Sequence, residues 1–227
     1  MTLEYKIISI GTLSNNFCWQ EQAPVRTAHA TTTLIETDDK LILVDPSLPG
    51  QLLAAKFFER TGKTLDAVTD VFCTTLRPDA RRALNDSLEN ANWYASEIEL
   101  EWYSQHLEIM EDSLERLDEE GLANVEAERQ IIRKFKAAPE KFAPNLEIYP
   151  LTGPTSGCTG LLLTPPQSTI LIAGPAAVTS EYIQAGMIWQ ECMDKDESMD
   201  ALTDILEIAD VIIPGYDNKY FRQAGWL

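Results

Sequence analysis

The chain opens on apolar and β-branched positions in strand-like order. Residues 5–10, 31–35 and 41–44 carry this pattern, and Asp38-Asp39 stands where a tight turn would join the last two into a hairpin. Asp45-Pro46-Ser47 ends the third strand. Apolar residues at helical spacing over 48–60, closed by Gly62, then predict a helix with Ser47 as its cap. A short strand follows over 67–74, after which the polar run 76–82 leads into a short helix and a strand at 93–95. A loop so rich in charge, set directly behind a buried strand, is a natural position for a site.

The longest helical stretch covers 97–136, with a break expected near Gly121. Trp102, Leu107, Ile109, Met110, Leu114, Leu117, Leu122, Val125, Ile131 and Ile132 give it an apolar face. Strands are then expected at 146–149, 159–163 and 169–173, with Pro165-Pro166 turning between the last two. Helices at 176–185 and 199–208 and a final strand at 211–213 complete a second β-then-α half. No fixed-period repeat, linker or low-complexity tract intervenes. The reading is therefore one domain over 1–227, two sheets sandwiched between outer helices, with a mainly helical acidic segment at about 97–137.

Composition narrows the setting. A chain of 227 residues can bury a substantial core, and 44% hydrophobic with 24% charged residues is ordinary for a soluble globular protein. No apolar run approaches the roughly 20 residues that cross a bilayer. The start MTLEYKIISIG carries an acid where a signal peptide needs a basic flank, so a cytoplasmic location is expected. Cys18, Cys73, Cys158 and Cys192 are scattered and show neither C-x-x-C spacing nor a disulfide framework, which fits a reducing compartment. A net charge of −18 repels nucleic acid and anionic membranes, and neither is expected as a partner; a homo-oligomer stays open. Much of the excess lies between Glu97 and Glu126, including Glu108, Glu111, Asp112, Glu115, Asp118, Glu119 and Glu120, and reads as a solvated helical face.

A series of short motifs, in order and spanning nearly the whole chain, resembles the metallo-β-lactamase superfamily. LILVDP ends a strand on Asp45 as that family's first motif does. VFCTTLRPDARRAL lies where the family carries T-H-x-H-x-D-H, so Thr75, Arg77, Asp79 and Ala80 take the positions of His, His, Asp and His. LTGPTSGCTGLLL resembles G-H-T-P-G-S, with Pro154 at the histidine and Cys158 at a small hydroxyl position. LIAGP resembles A-G-D with Pro175 for the bridging aspartate, and VIIPGYDN resembles P-G-H with Tyr216 for the last histidine. ANWYASEIELEWYSQHL resembles the strand and helix that follow the metal motif in hydrolytic members such as lactonases and glyoxalase-like thioesterases. The resemblance implies an α/β fold, a four-layer αββα sandwich of two mixed sheets between outer helices.

It also implies a dismantled metal site. The family's chemistry rests on imidazoles and carboxylates that hold one or two zinc ions and activate a bound water. A binuclear centre of that type needs about five imidazoles, and this chain has two histidines, His29 and His106. Proline offers no donor, and an arginine puts a permanent cation where a dication should sit. No cofactor is expected, zinc being the alternative.

The residues that remain define candidates. Arg77, Asp79, Arg81 and Arg82 form a charged cluster in which an Arg77 or Arg81 ion pair with Asp79 could replace the metal's charge. The same arginines could make a locally positive pocket for a small anionic ligand, with Arg77, Asp79, Arg81, Cys158, Tyr216 and Asp217 as ligand-binding residues. Asp79, Tyr216 and Cys158 are the catalytic candidates, Cys158 only if a cation lowers its thiol pKa. Asp45 reads as a brace on backbone N–H groups, and His29 and His106 as structural or surface residues. Trp19 and the irregular segment 15–29 could meet a ligand or partner over the cleft. The leading reading is a zinc-free, non-catalytic member, a pseudoenzyme, that binds a ligand or protein partner. The alternative is a hydrolase of esters, thioesters or lactones with a single metal on Asp79, Asp217, Cys158 and His29, or with metal-free acid–base work by Asp79 and Tyr216.

Overall fold

The computed structural model describes residues 3–114 and 118–222. Strand β1 (Leu3–Ser9) pairs antiparallel with β2 (Thr32–Thr37), which turns through residues 38–40 into β3 (Leu41–Val44) as the sequence predicts. Helix α1 (Gly50–Thr61) ends on Gly62, whose φ of 70° lets its N–H reach the Phe58 carbonyl. Its N-cap is Pro49, and Ser47 makes no cap. The Ser47 hydroxyl instead donates to the Asp79 carbonyl and accepts from the Ala30 N–H, which spends it on the site loop.

Strand β4 (Asp70–Phe72) is shorter than predicted because a 3-10 turn occupies residues 65–67. Two further 3-10 turns, at 78–80 and 82–85, fill the loop before β5 (Asn92–Ala95). The long helical stretch is two helices. Helix α2 (Glu97–Ser113) stops short of the expected break, and α3 (Glu119–Ile132) starts on Asp118, whose carboxylate caps the Gly121 N–H at 2.8 Å. Gly121 thus sits inside the first turn of α3 rather than at the break; the calls on Glu115 and Leu117 lie outside the described residues. Past Ile132 the chain leaves the helix and forms β6 (Phe135–Ala137), where Phe135 packs edge-on against Trp93 with ring centroids 5.6 Å apart.

Strands β7 (Lys141–Ala143), β8 (Leu146–Pro150), β9 (Thr159–Leu163) and β10 (Ile170–Gly174) follow. Helix α4 (Ser180–Ala185) begins only where Thr179 caps it, so the helix expected from 176 loses its first turn. Helix α5 (Lys195–Ile208), β11 (Val211–Pro214) and β12 (Tyr220–Phe221) close the order. Among the described residues the strands form two six-stranded mixed sheets, β1-β2-β3-β4-β5-β6 and β12-β11-β10-β9-β8-β7.

Period-2 alternation makes four layers of them. Leu34, Leu43, Val71 and Trp93 face outward onto α1, α2 and α3, while their neighbours Ile35, Ile42, Val44 and Phe72 face the second sheet. There they meet Leu161, Leu163, Ile170, Ile172, Val211 and Ile213. Leu171 and Ile212 point the other way, onto α4 and α5. This is the αββα sandwich that the motifs imply. Its loops at one end, after β3, β4, β8, β10 and β11, carry every motif position where a metal ligand was expected.

Phe72 is fully buried between the sheets, edge-on to Phe142 at 5.7 Å. Phe72→Ala is expected to lower unfolding stability by about 3–5 kcal/mol in urea titrations, the cost of a large core cavity. Phe58→Ala on the exposed face of α1 is expected to change it by under about 0.5 kcal/mol.

Candidate active-site cleft

Buried carboxylates organise the loop end of the sandwich. Asp45 leaves β3 with a left-handed φ of 48° and is 1% exposed. Its two oxygens accept from the Thr74 N–H and the Thr74 hydroxyl, each at 2.8 Å, so it braces the loop after β4. Gly174, with φ 54°, lies against Thr74, and a Cβ there would fall 2.3 Å from the Thr74 hydroxyl. Only glycine lets the β10 loop come this close.

Glu99 is the second buried acid and the one that sequence reasoning missed. It sits in the first turn of α2 at 0% exposure, accepting from the Leu76 N–H at 2.8 Å and the Thr155 hydroxyl at 2.7 Å. Ser96 caps the same turn and its hydroxyl reaches the Gly157 carbonyl. The Ser96-x-x-Glu99 spacing is that of a capping box, a signal that was available. Here the Glu side chain turns instead to the site loop. Burial pushes its carboxyl up, against the pull of these donors.

Asp79 is the third acid and stands at the centre of the cleft. The Tyr216 hydroxyl donates to its Oδ2 at 2.8 Å, and the Arg77 Nε donates to its Oδ1 at 3.3 Å. The Arg77 guanidinium lies flat on Trp189, 4.0 Å from the ring centroid, and 3.9 Å from a Glu191 oxygen. The ring of Tyr216 packs with Leu13, Val178, Tyr182 and Trp189, and burial pushes its phenol well above the usual range. A cavity of about 130 Å³ opens here between Arg77, Asp79, Trp189, Tyr216 and the early loop at Leu13, Asn15 and Phe17. The early loop thus reaches the cleft, but Trp19 is turned outward, 55% exposed, with its Nε1 on Glu181.

The structure brings Arg77, Asp79 and Tyr216 together and sends the other candidates elsewhere. Arg81 is 1% exposed: its Nε donates to the Leu76 carbonyl, and its NH2 reaches the Tyr103 hydroxyl and pairs with Glu128. The expected ion pair with Asp79 therefore forms through Arg77, not Arg81. Cys158 is fully buried beside Leu151 and Leu171, away from the cleft, with burial pushing its thiol well up, so it is not an accessible nucleophile. Asp217 is not in the wall of this cleft cavity; its carboxylate accepts from the Ser180 and Asn218 N–H groups and fixes the loop after β11. His29 is held at the Ile10 carbonyl, and His106 lies mid-helix in α2, stacked on Trp102. The single-metal set of Asp79, Asp217, Cys158 and His29 is not assembled.

Charge at this end is balanced rather than positive. Arg77 and Arg81 stand among Asp45, Asp79, Glu99, Glu128 and Glu191, so each guanidinium at this end has a carboxylate beside it. A zinc centre does not fit these residues. Both Asp79 oxygens are engaged, Pro154 and Pro175 bring no donor, and Thr75 and Ala80 are buried. Among the described residues no group of three or more His, Cys, Asp or Glu side chains is placed to hold a metal ion.

Solved structures that resemble this one share its architecture. A metallo-β-lactamase-like protein from Thermotoga maritima matches with TM-score 0.69 at 19% identity, over 97% of this chain and 100% of its own. A metal-dependent hydrolase from Staphylococcus aureus matches with TM-score 0.70 at 13% identity, over 97% and 90%. An N-acyl homoserine lactone hydrolase, with its product at a catalytic metal centre, matches with TM-score 0.61 at 16% identity, over 95% and 92%. No protein-family model and no curated protein sequence matches the chain. The fold is that of the metallo-β-lactamase hydrolases. Among the described residues no helix is long and apolar enough to cross a membrane.

Burial pushes Asp45 up to about 7, the Thr74 donors only partly offsetting it. An unfolded aspartic acid loses its proton near pH ~4, so between there and about 7 the native state holds more protons than the unfolded one. Stability then falls as pH rises through that window and levels above it. Glu99 acts in the same direction. Urea unfolding of Asp45→Asn is expected to show a shallower fall across the window than the parent chain; an unchanged slope would mean that Asp45 is ionised in the native state.

Proposed function

We infer that this chain is a binding protein on a metallohydrolase fold, working without the fold's zinc chemistry. The observation that carries the reading is the engagement of Asp79. It is the one residue that keeps a ligand identity in the second motif, and both its oxygens are taken by Tyr216 and Arg77. A guanidinium beside a carboxylate supplies the positive charge that a metal would bring, without an exchangeable coordination position.

The hydrolase alternative draws on what the structural neighbours are named for, lactone hydrolysis among them. Two observations speak against it here. The Tyr216 hydroxyl already gives its hydrogen bond to Asp79, and burial makes the phenol harder to ionise. With Cys158 buried, the cleft also lacks the thiol nucleophile.

Protein purified without chelator and then equilibrated with zinc is expected to hold far less than stoichiometric metal by elemental analysis. Any turnover of aryl esters, thioesters or lactones is expected to be the same in Asp79→Ala as in the parent chain. Stoichiometric zinc, or turnover lost in Asp79→Ala, would overturn the reading.

A further inference from the structure

A second and larger cavity, about 610 Å³, lies between the paired helices α2 and α3 and the loops at Pro154 and Met193. Arg77 and Pro154, both at motif positions, form part of its wall. Its volume falls in the roughly 300–1,000 Å³ range of small-molecule sites. Trp102, Tyr103 and His106 line it with a ring cluster, Trp102 and His106 stacked at 5.5 Å and Tyr103 set 5.9 Å from Trp102. Met110 and Met193 face it as well, 42% and 54% exposed. Thioethers adapt to ring edges, and rings prefer rings at offset or edge-on geometry, so this wall suits a flat aromatic body.

The polar groups decide the ligand's charge. Arg77 is already balanced by Asp79 and lies near Glu191, while Glu128 is held by Arg81 and Tyr103. An anion entering here meets no unmatched cation, in a chain of net charge −18. A neutral acceptor can still take a hydrogen bond from Arg77 without bringing a charge out of water.

We propose that the cavity between α2, α3 and Arg77 is a binding site for a small neutral aromatic molecule with a hydrogen-bond acceptor. It deepens the binding role inferred for this fold. Its test uses neither zinc nor Asp79, so failure of the metal-free reading and failure of this site are told apart. The probe pair is 6-propionyl-2-(dimethylamino)naphthalene, a neutral amine whose ketone is a hydrogen-bond acceptor, and the anion 1-anilinonaphthalene-8-sulfonate; both are naphthalenes whose fluorescence rises in apolar surroundings, and they differ in charge. Titrated into the full chain, the neutral amine is expected to show saturable fluorescence enhancement, with the sulfonate at least about tenfold weaker. Trp102→Ala on α2 and Met193→Glu on the loop before α5 are each expected to weaken the amine by about tenfold or more, with far-UV circular dichroism unchanged. Met193 is exposed, so its variant tests the site without risk to the core. Absence of saturable enhancement, equal affinity for the two probes, or unchanged binding in both folded variants would overturn the proposal.

Discussion

A carboxylate out of water must be met by donors, and this constraint shapes the whole loop end of the molecule. In a metal-binding member of the fold a dication could satisfy several acids at once. Here each acid is satisfied separately by the chain. Asp45 draws in Thr74, Glu99 draws in Leu76 and Thr155, and Asp79 draws in Tyr216 and Arg77. These pairs join different elements: β3 to the β4 loop, α2 to the loops after β4 and β8, and the β4 loop to the one after β11. The loops of both sheets are therefore tied together by hydrogen bonds that burial makes costly to break.

The inward turn of Arg81 follows from the same constraint on the other sign of charge. A guanidinium at 1% exposure is tolerable only if it is well partnered: the Leu76 carbonyl takes its Nε, and the Tyr103 hydroxyl and the Glu128 carboxylate take its NH2. Glu128 belongs to α3, so this contact anchors the acidic helical segment against the site loop and fixes one wall of the larger cavity. Deleting Glu128 would leave a buried cation, whereas deleting an exposed acid of α3 would remove only a solvated charge.

The layers were legible in the sequence and the cleft only in part. Runs such as 41–44 and 159–163 read correctly because both faces of those strands are buried and the apolar signal is unbroken. The three-residue strands β6 and β7 and the two-residue β12 carry too few positions for any period to show. In the site, Asp45, Arg77, Asp79 and Tyr216 stood out because motif order placed them. Which arginine of Arg77, Arg81 and Arg82 would pair with Asp79 was not legible, since side-chain direction in a loop of successive 3-10 turns follows no period. Cys158 was misplaced for a related reason: the residue after a Gly-rich turn can point to the cleft or to the core, and here, one residue before β9, it points inward. Glu99 was hidden by a local signal that explains a Glu at that position without reference to tertiary structure.

Arg77 links the two cavities. It lies on the wall of each, its guanidinium held over the Trp189 ring and its Nε by Asp79. A guanidinium so held has its remaining N–H donors directed by that geometry rather than by rotamer sampling, which lowers the entropy lost when one of them meets a ligand. Arg77 stands where the resembling family carries a histidine, and its contacts with Asp79 and Trp189 place its guanidinium beside the aromatic wall of α2.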